Sequence, residues 1–188
     1  MLWRGRSERC DFILLHYEKL NFKVNKFVTL SLYQTYNKVN FYTFQFEGDT
    51  LTETEKFFTK FEEEERFSED LNNMAVWLSI IGQRYSAKKE FFRHEGAASA
   101  LPPPNSKMIK EVIVNDLRLY CLRISDKVVI LANGGIKSSQ TVQGSPDLMP
   151  HFRFVNVMSK QVDEFIKDGT FKVEGKNILE LDKIEFIY

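Results

Sequence analysis

The sequence predicts an α+β fold, and three observations carry that prediction. Two apolar runs, Leu117–Ile124 and Val128–Ala132, are split by Ser125-Asp126 and rich in β-branched and large apolar side chains. They read as a hairpin of two well-buried strands. Upstream, two stretches with apolar residues at helical spacing follow one another across a short turn, which makes an αα-hairpin. Downstream, another amphipathic stretch supplies a C-terminal helix. Strands and helices grouped in this way give an α+β domain.

Taken in order, residues 1–38 open with the basic Leu2-Trp3-Arg4-Gly5-Arg6, and Phe27–Tyr36 fits either a strand or a helix. Asn40–Glu47 alternates aromatic and polar residues, a strand signal, and Gly48-Asp49 ends it. A capping box follows in one of two registers, Thr50 with Glu53 or Thr52 with Glu55. The helix beyond it turns Phe57, Phe58 and Phe61 inward and carries Glu62–Glu65 near its end, where four carboxylates oppose the macrodipole. Ser68 is placed to cap a second helix, with Leu71, Met74, Ala75, Leu78 and Ile81 at helical spacing and Gly82 near its end. His94–Ser106, with Gly96 and Pro102–Pro104, reads as loop. Lys107–Val114 is expected to begin the sheet again.

The second strand of the hairpin meets Asn133-Gly134-Gly135, a local breaker, and delivers Lys137-Ser138-Ser139-Gln140 at its exit. Ser145-Pro146 is a good helix start. Ser159–Lys167 is amphipathic through Val162, Phe165 and Ile166, and Gly169 is placed to close it. Asn177–Tyr188 alternates loosely and is expected to add an edge strand.

At 188 residues with 43% hydrophobic content and 17 Phe, the chain belongs with globular proteins rather than disordered ones. Its formal charge is zero, which counts against a nucleic-acid binder unless charge is segregated. It is segregated. Residues 1–46 hold 7 Lys/Arg against 3 Asp/Glu, whereas residues 47–70 hold 3 against 10. The span 84–140 returns to 10 against 5, and 141–188 has 6 against 8. Ordinary surface solvation accounts for such blocks, yet a basic β segment beside an acidic helical one keeps an anionic ligand in play. Cys10 and Cys121 are too few and too far apart for a disulfide framework or a zinc site, and Cys121 sits in a buried-strand pattern. Phe12–Leu15 is too short for a signal-peptide core or a membrane span, so a cytoplasmic protein is expected. Gly134-Gly135 lacks the residues of a phosphate loop, and Ser138-Ser139 lacks a nucleophile elbow.

An arginine opening an apolar strand, an acidic turn, the run Lys127–Leu131 and the exit Gly135–Gln140 together resemble the C-terminal hairpin of RelE/ParE-superfamily toxins, the RelE- and HigB-like ribonucleases above all. The resemblance spans roughly Asn40 to Gly169. It implies a RelE-like domain over 39–188, ordered as strand, αα-hairpin, antiparallel sheet and C-terminal helix, with 1–38 as an N-terminal extension. It also implies the toxin of a toxin–antitoxin pair, an endoribonuclease that cleaves mRNA on the ribosome without metal or other cofactor. A small antitoxin protein would hold it inactive by covering the basic face.

By the same resemblance Arg118 stabilises the scissile phosphate and Lys137 contacts it; the alternative for each is an exposed strand-end cation with no such role. Ser138 departs from the pattern, because a second basic residue often stands there in ribosome-dependent members. His94, in Arg93-His94-Glu95-Gly96, is the candidate general acid or base. Lys88, Lys89, Arg93, Ser138, Ser139 and Gln140 are candidate RNA contacts, and Tyr120 fits either base stacking or the core. The alternative is a non-catalytic binding protein on the same scaffold, either a ParE-like topoisomerase poison or a degenerate partner-binding module.

Overall fold

The computed structural model describes residues 25–103 and 112–188. The expectations for Leu2–Arg6, Cys10 and Phe12–Leu15 lie outside the described residues, as do residues 107–111 of the strand expected over Lys107–Val114. Its remainder, Val112–Val114, is not a strand, for the Val112 and Ile113 carbonyls accept from the Trp77 and Asn73 side chains and the sheet resumes only at Leu117. Within them the chain is mixed α+β, built on a seven-stranded, mostly antiparallel sheet. Strands β1 (Phe27–Thr35) and β2 (Asn40–Phe46) form a hairpin, followed by helices α1 (Glu53–Glu62) and α2 (Ser68–Ile80). A short hairpin, β3 (Arg93–Glu95) and β4 (Ala98–Leu101), leads to β5 (Leu117–Arg123) and β6 (Val128–Ile136). Helix α3 (Met149–Asp168) comes next, then the minor hairpin β7 (Val173–Glu174) and β8 (Asn177–Ile178), and last β9 (Glu185–Ile187). The sheet order is β3-β4-β5-β6-β2-β1-β9, with β2 and β6 the one parallel pair.

Both faces of the sheet are covered, which is why β5 and β6 read as nearly continuous apolar runs. On one face α1 and α2 bury Phe57, Phe61, Met74 and Trp77 against Leu119, Cys121, Val129 and Leu131. On the other, α3 lays Phe154, Val155, Met158 and Val162 over Tyr120, Leu122, Ile130 and Phe44. The capping box takes the second register: the Thr52 hydroxyl accepts from the Glu55 N–H while the Glu55 carboxylate accepts from the Thr52 N–H. Ser68 does not cap α2, since Phe67 occupies the cap position without a side-chain bond. The third helix starts at Met149, later than Ser145-Pro146, and ends on Gly169 at φ +81°. Phe27–Thr35 is a strand of the main sheet, and β9 is its edge.

Two further sequence expectations are corrected. His94–Ser106 is not all loop, because β3 and β4 continue the sheet beyond β5; Ala98, Ala100 and Leu101 are small or apolar enough to pack where Gly and Pro signalled a break. Asn133-Gly134-Gly135 does not break the second strand either: β6 runs on to Ile136. Here the two glycines serve close approach. A Cβ on Gly134 would lie 1.8 Å from the Arg118 carbonyl oxygen, and one on Gly135 would lie 2.3 Å from Asp147 Oδ2.

Candidate functional site

The β5–β6 register shifts once. Leu119 pairs with Gly134 and Cys121 with Leu131, so Ala132 and Asn133 together oppose Tyr120 in a β-bulge. The bulge reverses which residues face α3. Before it Ile130 and Ala132 pack on the α3 side; after it Ile136 packs toward α1 and α2, and Lys137 comes out on the α3 side. That is the side of Arg118 and Tyr120. An unbroken two-residue period would have sent Lys137 the other way.

The result is a cavity of about 400 Å³ between the start of β5, the β3–β4 hairpin, the 137–148 loop and the first turn of α3. Arg93, Arg118 and Lys137 converge on it, together with Glu95, Tyr120 and Gln140. Arg118 is only 7% exposed, not the exposed strand-end cation of the alternative reading. One of its Nη atoms donates to the Leu117 carbonyl at 2.7 Å and to that of Asn115 at 3.3 Å. Its Nε–H is buried and has no partner among the described residues, and the same holds for the Nε–H of Arg93. Arg93 Nε stands 3.8 Å from a Glu95 carboxylate oxygen, an ion pair too long for a hydrogen bond.

The electrostatics tell the same story. Burial and the neighbouring Arg93 charge both work against the Arg118 cation and lower its pKa. Lys137 is lowered by burial, then by Arg118 and Arg93. Burial, then the Glu95 carboxylate, pushes the Tyr120 phenol upward, so it stays protonated. Among the described residues, three cations thus face one carboxylate, and two buried N–H donors are unpaired. Such a cluster lacks a negative charge, and an anion would relieve both the repulsion and the unmet donors.

Two acidic residues that the sequence reading passed over hold this frame. Asp70 of α2, 5% exposed, accepts the backbone N–H groups of Asn115 at 2.9 Å, Asp116 at 2.8 Å and Leu117 at 3.2 Å, which fixes the entry into β5 just before Arg118. Asp147 accepts from the Ile136 N–H at 2.7 Å and pairs with Lys60 of α1 at 2.6 Å, which fixes the exit of β6 just before Lys137. Their only sequence signal was an acid at a helix start, a signal shared with ordinary helix-end residues.

Of the predicted residues, Arg118, Lys137, Arg93 and Gln140 meet at this cavity. His94 does not. It lies in β3, where alternation turns it away from Arg93 and Glu95, and with Lys89 it lines a neighbouring cavity of about 520 Å³. Lys88 and Ser138 are exposed outside both cavities. Ser139 is spent on its own loop, where its N–H donates to the Ser145 hydroxyl at 3.1 Å. Cys121 is buried and unpaired, and burial raises its thiol pKa. Among the described residues no three His, Cys, Asp or Glu side chains cluster to hold a metal ion, and no helix is long and apolar enough to cross a membrane. No protein-family model, curated protein or solved structure matches the chain.

Proposed function

We propose that the cavity binds an RNA phosphate and that the chain is a RelE/HigB-like endoribonuclease, the toxin of a toxin–antitoxin pair. The observation that carries this reading is the convergence of Arg93, Arg118 and Lys137 on one cavity, with two buried guanidinium N–H donors unpaired among the described residues. Support also comes from the order β2, α1, α2, the strands β3–β6 and α3, which accords with the implied strand, αα-hairpin, antiparallel sheet and C-terminal helix, with β1 as an additional strand ahead of it. In the proposed reaction the substrate's 2′-hydroxyl attacks the adjacent phosphorus. A P–O2′ bond forms, the P–O5′ bond breaks, and a cyclic phosphate and a free 5′-hydroxyl result. Arg118 and Arg93 hold the non-bridging oxygens as negative charge grows. Glu95 takes the 2′-hydroxyl proton in place of His94. Lys137, made more acidic by its surroundings, protonates the departing 5′-oxygen.

Purified protein incubated with ribosomes and a defined mRNA is expected to cut the message, and Arg118→Ala to cut it roughly ten- to a thousandfold more slowly. Intact mRNA beside a cleaving positive control overturns the catalytic reading. The zero net charge and Ser138 favour the second reading, a binding protein on the same scaffold. Induced expression separates them: growth arrest with mRNA loss marks the ribonuclease, arrest with DNA-damage signalling a topoisomerase poison, and no arrest a binding module.

A further inference from the structure

The phosphate cavity has a neighbour, and the two follow one another along the same strand and helix, β5 and α3. On β5, Arg118 and Tyr120 floor the first cavity and Leu122 floors the second, with Ile124 just past the strand's end. On α3, Leu148 and Phe152 wall the first from around the helix start, and Ser159, Val162, Asp163 and Ile166 wall the second farther along. From Arg118 to Ile124 the chain runs six residue steps, on the order of 20 Å.

What divides the cavities is the tip of the β3–β4 hairpin, Gly96-Ala97. The tip is pinned to α3: the Ala97 N–H donates to Asn156 Oδ1 at 3.0 Å, and the Ser159 hydroxyl donates to the Ala97 carbonyl at 3.2 Å. Its two residues are small and exposed, so it forms a low saddle rather than a wall. Strand alternation assigns β3 side chains to the two cavities in turn. Arg93 and Glu95 serve the first, His94 the second.

The two cavities differ in chemistry. The first is cationic. The second, about 520 Å³, sets Phe92, Leu122 and Val162 beneath a rim of Lys89, His94 and Asp163. An apolar floor with a few polar groups at its edge suits a flat heteroaromatic ring better than a phosphate. The His94 imidazole offers a stacking face, Asp163 an acceptor for an exocyclic amino or ring N–H, and Lys89 a cation for the backbone. The Arg123 guanidinium in the wall is already tied to the Ala87 carbonyl and to Asp126, so it lends shape rather than a contact.

From this juxtaposition we infer that the second cavity is a base-binding subsite for the nucleotide next to the scissile phosphate, and that single-stranded RNA crosses the Gly96-Ala97 saddle to reach it. The inference rests on the RNA reading of the first cavity and assigns His94 and Asp163 a binding role there.

The test uses the full chain and two probes: a fluorescein-labelled mixed-sequence RNA hexanucleotide, followed by anisotropy, and inorganic phosphate, followed by calorimetry. The double substitution His94→Ala with Asp163→Ala removes the ring face and the acceptor from exposed positions. Separately, Ala97→Phe raises the saddle and, because Ala97 also lines the second cavity, narrows the entry to it while leaving the first cavity's lining intact. Each is expected to weaken the hexanucleotide about 5- to 150-fold, the range for one stacked base, and to leave phosphate binding unchanged. Unaltered hexanucleotide affinity in both variants, with Arg118→Ala still lowering it, overturns the subsite alone. A wild-type protein that binds phosphate but no hexanucleotide overturns the RNA reading and the subsite with it.

Discussion

Replacing Asp70 by Ala removes one acceptor group from three backbone donors at once. The Leu117 N–H is buried, whereas those of Asn115 and Asp116 are partly so, at 2.9 and 2.8 Å from the carboxylate. Leaving one fully buried donor unmet costs about 2 kcal/mol, and two that water can partly reach add about 0.5–1 kcal/mol each. The expected loss is therefore about 3–4 kcal/mol. In a domain of this size that lowers Tm by roughly 6–16 °C. Urea unfolding should show the midpoint fall while the m-value holds, because the surface exposed on unfolding does not change. Asp70→Asn keeps one acceptor oxygen and should lose about half as much. At a temperature where both variants are folded, phosphate binding should still be weaker than in the wild type, since the entry into β5 sets Arg118. A destabilisation below about 1 kcal/mol in the alanine variant would refute the assignment of Asp70 as the acceptor that holds this turn.

Three further outcomes follow from the same geometry. Gly134→Ala should cost about 1–3 kcal/mol and weaken phosphate binding, because the added Cβ meets the Arg118 carbonyl oxygen at 1.8 Å; thermal denaturation and calorimetry check both. Thr52→Ala should cost about 1 kcal/mol in urea denaturation through loss of the capping box, without touching the cavity. His151 beside Lys60 is held below its ordinary value of 6.5 by burial and then by that cation, so the unfolded chain binds its proton first. Asp147 would be raised by burial, but its hydrogen bonds with Lys60 and the Ile136 N–H hold it below its ordinary 3.8. Both depressions give stability that is complete above the ordinary pKa and lost as pH falls through the folded one. Urea midpoints should drop from pH 7 into the range just below 6.5 and again below 3.8; His151→Gln should flatten the first step and Asp147→Asn the second.

The sequence made the core of the fold readable where burial and period agreed. The β5–β6 apolar runs, the Phe57 and Phe61 stripe and the αα-hairpin are all dictated by which side chains must leave water. It failed where a tertiary contact decides. Ala98–Leu101 becomes a strand because β5 offers it an edge, despite flanking Gly and Pro. Gly134 and Gly135 continue β6 because Arg118 and Asp147 approach too closely for any other residue. Arg118 and Lys137 were legible as candidates because they stand at the two ends of a recognisable apolar hairpin, and Arg93 and Gln140 as polar residues beside His94 and after Lys137. Their convergence was not, for it depends on a bulge that reverses the facing of Lys137, and the two-residue period cannot foresee an inserted residue. His94 was misplaced for the converse reason: read as loop, it carried no facing, whereas β3 gives it one opposite to Arg93.

The most direct test of the central claim is the salt dependence of RNA binding at this cavity. Affinity of the labelled hexanucleotide should fall linearly with salt on logarithmic axes, by about 0.7 for each phosphate neutralised. Lys137→Ala should weaken binding about tenfold or more and make the slope shallower by about 0.7–1, with Tm within a degree or two of wild type. An unchanged slope and affinity in Lys137→Ala and Arg93→Ala alike would contradict a phosphate site built from these cations.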